Sequence, residues 1–432
     1  MNPKPQKKPH RAWLILVACI LFQGATTGIM FNCLGLFYAS ICKDLGFSMG
    51  SMSLYNTIRQ LATAATLPYM ILLLKKRKMH RTLLVMTLIC TLCFGMMGIF
   101  HHLYEFYISG VIVGVAGSIV FAVPVTIVIN NWFQKKKSLA MGIAFSASGV
   151  AGTLMNPICS WIILQTGWRT AAWIMAGLSL LLTVPSILFV IRRNPEEAGC
   201  SPYGAEEFAR LAAERTSSAQ TSTTSGAKLQ AASTDSIQPS RQSHPVLLLV
   251  CCMIITAVAY WVSQYNSHLV TFGQSTGMTL MAASTVASFA MTGNVLSKIL
   301  LGMVAEKWGY KLSLYAGLFF SALGFAIFLL FGQFEIGLYI GGLFFGTTMA
   351  LATVVPSLIA AHLYENDGYE EHYSKMMTAG YVASAVGFSA IGFSYDFFGS
   401  YFPSIGFSLV LCLLAGIAGY LIVREDRASS AV

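Results

Sequence analysis

Hydrophobic runs of membrane length alternate with short polar breaks along the whole chain. They lie near residues 13–41, 51–74, 82–100, 104–132, 138–165 and 170–191. After a polar stretch they resume near 245–272, 279–304, 311–331, 334–363, 374–397 and 402–423. About 20 apolar residues suffice for a helix to cross a bilayer. Gly and Pro occur freely inside these runs, as in membrane helices. The pattern predicts an all-α membrane protein with twelve transmembrane helices arranged as two six-helix bundles. Residues 1–193 form the first bundle, 194–244 a linker and 245–432 the second. The linker, rich in Ser, Thr, Ala and Gln, has too little apolar surface to fold alone, although EEFARLAAER suits a short helix.

The two halves echo each other. VFAVPVTIVINNW at 120–132 aligns with ATVVPSLIAAHLY at 352–364, pairing Pro124 with Pro356, and FSASGVAG at 145–152 aligns with YVASAVGF at 381–388. Parallel repeats of this kind suggest a transporter with its binding site between the halves.

Composition agrees: 56% of the 432 residues are hydrophobic and 10% charged, where soluble domains have about a quarter charged. The net charge of +10 is distributed as topology signals rather than as a nucleic-acid surface. All Lys and Arg except Lys43, Arg169, Arg59 and Lys298 fall on one side of the predicted spans. The positive-inside rule makes that side cytosolic, with both termini there and the chain in the cell membrane. The basic start leads into a run too long for a signal peptide, so the first span is expected to remain. Eight of the ten cysteines lie in apolar runs; Cys90 and Cys93 have CxxC spacing but no accompanying ligands, so no metal or cofactor is expected.

Two cations fall inside spans. Lys298 precedes Glu306 by eight residues, about 12 Å along a helix, against a half-thickness of the hydrocarbon core of about 15 Å. A cation at that depth normally faces a bundle interior or a wet cavity; the alternative is a structural lysine that snorkels or holds a backbone carbonyl. Asn294 lies one turn away on the same face. Arg59, toward the outer end of span two, either snorkels outward, lines an entry vestibule or pairs with Glu105. No Asp or Glu occupies the middle of a span, so a negative ligand is the natural counter-charge for these cations. Tyr260, Gln264 and His268 recur every four residues and are expected to share a face, as are Gln23 and Thr27 in span one; they either line the path or satisfy one another. Gly142, Ser146, Gly149, Thr153 and Asn156 form a small-polar stripe suited to close helix packing.

GMVAEKWGYK at 302–311 resembles the signature that follows span eight in the major facilitator superfamily, with Gly302, Glu306, Lys307, Gly309 and Lys311 as its gating residues. LLLKKRKMHRTL, the equivalent loop of the first half, lacks the glycine and the acid. NWFQKKKSLAMGIAFSASGVAG at 131–152, GWR at 167–169, SHLVTFGQSTGM at 267–278 and DFFGSY at 396–401 resemble the monocarboxylate transporter and oxalate/formate antiporter branch. In that branch an Asp and an Arg four residues later in span eight carry substrate contact and proton coupling. Asn294 and Lys298 occupy those positions: the charge is kept, and the titrating acid is not. The resemblance implies a secondary transporter of small organic anions, monocarboxylate-like and working by alternating access. Exchange, proton-coupled symport and export of amphipathic compounds remain open. Lys298, Asn294, His268, Gln264, Tyr260, Gln23, Thr27 and Arg59 are the candidate substrate-binding residues. Its partners are the anion and the bilayer. A sensor would need an output domain and an enzyme a cluster of reactive groups; neither is visible.

Overall fold

The computed structural model describes residues 11–76, 79–121, 123–133, 137–191, 195, 199–203, 245–364 and 369–430. Within them ten helices are long and apolar enough to cross a membrane. One of the ten, Ala140–Leu188, is two legs hinged at Gly167, whose φ of 80° and ψ of 159° turn the chain. Met49–Lys76 is a further helix of membrane length, made less apolar by residues such as Asn56, Arg59 and Gln60.

The twelve legs are therefore α1 (Arg11–Leu45), α2 (Met49–Lys76), α3 (Met79–Met96) and α4, made of the segments Leu103–Val120 and Val123–Trp132. Next come α5 (137–166), α6 (168–185) and α7, which begins as Pro245–Ser263. The rest are α8 (Leu280–Trp308), α9 (Tyr310–Phe331), α10 (Glu335–Leu363), α11 (Tyr369–Phe398) and α12 (Phe402–Ser430). Most of the linker, including EEFARLAAER, lies outside the described residues. Its described start is pinned to the first legs: Tyr203 donates its amide to the Trp132 carbonyl, and its ring packs against Trp13 and Phe133.

Alternating legs place Arg11 and Ser430 on one face of the molecule, the near face, and the chain turns at Gly46, Gly167 and Gly399 on the other, the far face. Large apolar side chains such as Leu181, Leu330 and Ile336 point outward, as suits a surface solvated by lipid. Lipid gives helices no hydrophobic reason to associate, so close packing must hold them. Glycine supplies it: a Cβ on Gly293 of α8 would collide with the Leu343 carbonyl of α10, and one on Gly346 with the Ala290 carbonyl. The small-polar stripe of α5 divides. Gly149 lies against Val295 and Thr153 bonds to Ser288 and Thr292, whereas Gly142 faces open space.

The repeat echo is also uneven. Pro124 is the second residue of the segment Val123–Trp132, whereas Pro356 lies well inside α10.

Candidate functional site

The first six legs meet the last six along two seams, α2 against α11 and α5 against α8. Along the first seam, Asp396 accepts the Met49 and Gly50 amides, Thr57 meets the Ser389 hydroxyl at 2.7 Å, and Gln60 donates to Ser384 at 3.1 Å. Along the second, Ser160 reaches the Leu280 carbonyl and Thr153 lies 3.3 Å from Thr292. Between the two seams, Gly35 of α1 leaves room for the Ser267 carbonyl of α7. These contacts run from the far face inward and form a seal. A depression of about 570 Å³ remains at its far edge, bordered by Lys43, Trp168, Gln274 and Tyr395.

Lys298 lies one helical turn past Asn294 and Val295, the residues of α8 that meet Gly149 of α5. It is half-buried, and among the described residues no carboxylate pairs with its ammonium. It thus sits at the inner edge of the seal. Asn294 is 2% exposed, wedged between Gly149 and Gly346, with Oδ1 lacking a partner. Glycine at 346 leaves room for the Asn294 backbone, and glycine at 149 for the neighbouring Val295 side chain. A carbonyl oxygen without a partner one turn from an ammonium without a counter-charge leaves polar groups of the sort that a ligand or water completes.

Arg59 departs from two of the three expectations. It is 3% exposed, so it does not snorkel, and it does not pair with Glu105. The Glu105 carboxylate instead caps its own helix, accepting the His101 and His102 amides at 2.7 and 2.8 Å. The Arg59 guanidinium lies 4.6 Å from the Phe31 ring centre and 5.9 Å from that of Phe121, donates Nε to Asn56, and leaves Nη2 without a partner. Asn56 in turn donates to the Tyr38 hydroxyl.

The Tyr260, Gln264 and His268 stripe is broken. The α-helix of α7 ends at Ser263, tightens to a 3₁₀ turn over Gln264–Ser267 and restarts at Leu269. The four-residue spacing therefore does not keep one face, because a 3₁₀ turn advances by three residues rather than 3.6. Tyr260 packs on Tyr381 and points its hydroxyl toward the Met377 sulfur. Gln264 folds back to donate to the Tyr260 carbonyl, and His268 is fully buried in the seal, donating Nε2 to the Phe388 carbonyl beside Tyr38 and Tyr401.

Gln23 and Thr27 do meet: Gln23 donates to the Thr27 hydroxyl at 2.9 Å, and Thr27 donates to the Phe121 carbonyl. In the motif after α8, Glu306 and Lys307 are exposed without an ion-pair partner among the described residues, and Gly302 has nothing near its Cβ position. Gly309, at φ 85°, makes the turn into α9, and Lys311 lies near the Tyr310 ring. Sequence reasoning missed the roles of Phe31, Phe121, Asn56 and Asp396. Only Asp396 carried a signal, as the acid at the start of DFFGSY.

The sequence profile of the Major Facilitator Superfamily matches residues 20–291 and 249–432. An Aspergillus niger MFS-type transporter, pynF, is 21% identical over 71% of this chain and 64% of its own length. Monocarboxylate transporter 12 of Rattus norvegicus is 21% identical over 68% and 60%. The chain thus spans somewhat less than two thirds of the length of these curated relatives. The fold is similar to that of a bacterial homolog of the human lysosomal transporter Spinster, in an inward-facing and unoccupied conformation (TM-score 0.68, 12% identity, 98% of this chain and 99% of that one). It is likewise similar to a point mutant of the nucleoside transporter NupG (TM-score 0.66, 10% identity, 95% and 99%).

Proposed function

Because the chain belongs to the Major Facilitator Superfamily, we propose that it is a secondary carrier that moves small monocarboxylate-like anions by alternating access, with Lys298 neutralising the anion. The observation that carries this reading is the place of Lys298: half-buried inside a membrane leg, unpaired among the described residues, and at the inner edge of the seal. A buried cation without a counter-charge is costly, and an arriving carboxylate offsets that cost. Asn294 orients the carboxylate by donating Nδ2–H to it, directly or through water. Tyr260 and Gln264 on one side and Gln23 and Thr27 on the other border the path, while His268 belongs to the seal that must part on the far side.

In this reading residues 1–193 and 245–432 are the two rocking bodies, and 194–244 tethers them. The near face is cytosolic by the positive-inside rule, so the far-face seal corresponds to an inward-facing state. The Spinster homolog whose fold is similar was captured in that state, and the rat relative carries a monocarboxylate transporter name; both support the proposal. Glu306 and Lys307 are left to pair when the near face closes.

The test is uptake of labelled pyruvate into proteoliposomes holding the full chain. Lys298→Ala is expected to abolish uptake and Lys298→Arg to keep part of it, since charge is retained. Robust uptake by Lys298→Ala at normal expression would remove the anion site. Export of amphipathic compounds is the second reading, favoured by the half-buried Phe31, Phe121, Tyr260 and Met377. Substrate-dependent efflux of an uncharged amphipath, untouched by Lys298→Ala, would select it.

A further inference from the structure

The cage around Arg59 holds features that neutralising a carboxylate at Lys298 does not require. One irregular helix segment leads into it. α1 widens to a π-helix over Gly24–Phe31, which brings Phe31 to its end, and Phe121 follows the last residue of the Leu103–Val120 segment of α4, its amide still bonded to the Gly117 carbonyl. Irregular backbone at membrane depth is tolerated where it is buried in protein or lines a cavity, and broken helices in transporters mark the places where ligands bind. The Phe121 ring lies over Gly117, where a Cβ would collide with it. Phe31 and Phe121 meet at 6.1 Å and 61°, and both keep partial exposure beside a buried cation.

A guanidinium offers two kinds of contact. Its face takes aromatic rings, and its edge takes a carboxylate in a fork. Here Phe31 occupies the face at 4.6 Å, while Nη2 at the edge is buried and unpartnered. A carboxylate that Lys298 neutralises and that turns an oxygen to that edge brings its neighbouring carbons against the two rings. A planar aromatic body fills such a place with ring contacts, whereas a methyl or a short chain leaves most of the ring surface unused. Arg59 also adjoins Gln60, whose bond to Ser384 lies deepest among those joining α2 to α11 along the seam. It therefore sits at the inner edge of the seal, as Lys298 does on the other wall. On that second wall another aromatic pair, Tyr260 and Tyr381, lies 5.6 Å apart.

We propose that Arg59, Phe31 and Phe121 form the pocket that reads the body of the transported anion, and that this carrier selects carboxylates borne on a planar aromatic group. The inference rests on the anion-carrier reading and names the substrate class of that site. A structural arginine that merely ties Asn56 to Tyr38 would impose no such selection.

Phenylpyruvate and pyruvate differ by one ring and are both anions at neutral pH, which makes them the probes. Uptake into proteoliposomes holding the full chain is expected to show an apparent KM about tenfold lower for phenylpyruvate, the scale of one or two ring contacts. Combining Phe31→Leu with Phe121→Leu should bring the two KM values together. Arg59→Gln should raise both. Equal KM values in the wild type, a preference that survives the double leucine variant, or wild-type KM values in Arg59→Gln would each overturn the pocket. If one of these occurs while Lys298→Ala still abolishes pyruvate uptake, the aromatic pocket is wrong and the anion site stands. If the wild type takes up neither acid, both fall together.

Discussion

Asp396, in the last turn of α11, caps the first turn of α2 across the seam: its Oδ2 accepts the Gly50 amide at 2.7 Å while Oδ1 accepts that of Met49 at 3.0 Å. Gly50 is required for this approach, because a Cβ there would sit 2.6 Å from the carboxylate and collide with the Phe393 ring. One set of legs thus supplies the helix cap of the other, and the cap exists only while the far face is shut. Losing an N-cap costs about 1 kcal/mol, or roughly fivefold in a two-state ratio. Asp396→Ala should therefore shift the population toward far-face opening. A cysteine placed at Ser389, in the seam, would report this as faster labelling by a membrane-impermeant maleimide in the Asp396→Ala background. An unchanged rate would mean that the cap does not hold the gate.

Glycines in this molecule separate into those that permit contact and those that do not. Gly293→Ala forces a methyl into the Leu343 carbonyl. Overpacking of this kind costs about 1–3 kcal/mol, so the purified variant should melt lower than wild type. Gly302, although part of the motif after α8, has nothing near its Cβ position. Gly302→Ala should be neutral or stabilising by up to about 1 kcal/mol. The reverse order of melting temperatures would contradict the α8–α10 contact.

The twelve legs are legible in the sequence because length and apolar content are local properties, and so is the restriction of Asp44, Glu105, Glu335 and Asp396 to leg ends. Lys298 is legible for the same reason, since its depth follows from counting along one helix. Arg59 is not, because its surroundings come from α1 and α4 and from the π-helical stretch of α1, which spacing along α2 cannot reveal. The Tyr260, Gln264 and His268 stripe misleads for a related cause: a period of four presumes an α-helix, and α7 tightens after Ser263. Asp396 reads from sequence as one more acid at a leg end; only the packing of α11 on α2 makes it a cap.

On the far face the first six legs carry their own clamp. Arg169 pairs with Asp44 at 3.2 Å and donates to the Gly98 and Phe100 carbonyls, while the Trp168 indole shares the same carboxylate oxygen. With side chains 32% and 48% exposed, the ion pair contributes under about 1 kcal/mol. Gly167 beside it holds a backbone conformation essentially restricted to glycine, which costs other residues about 1–3 kcal/mol. Gly167→Ala should therefore lower the melting temperature more than Asp44→Asn. Equal effects would show that the charge pair, rather than the turn, fixes the α5–α6 corner.

The orientation of both cations depends on which face is cytosolic. A cysteine at Ser225, in the linker, should react with an impermeant maleimide only after the cell membrane is permeabilised, because the basic residues concentrate on that side. Labelling in intact cells would invert the molecule.

Exchange and proton symport make opposite demands on Lys298. A symporter needs a group that takes up a proton with the substrate, and Asn294, in the place where the resembling branch has an acid, cannot titrate. His268 is fully buried in the seal, with Nε2 donated to the Phe388 carbonyl. An empty carrier that reorients must enclose the Lys298 ammonium without a counter-charge, whereas a loaded one encloses a neutral pair. Each 1.4 kcal/mol of that difference slows the empty step about tenfold relative to the loaded one. Pyruvate placed inside proteoliposomes should therefore accelerate entry of labelled pyruvate by about tenfold or more, and a pH gradient alone should drive no accumulation. Lys298→Arg, which keeps the charge, should keep the trans-acceleration in whatever uptake remains. Uphill accumulation driven by the pH gradient alone would exclude exchange and leave Lys298 as the anion site of a symporter.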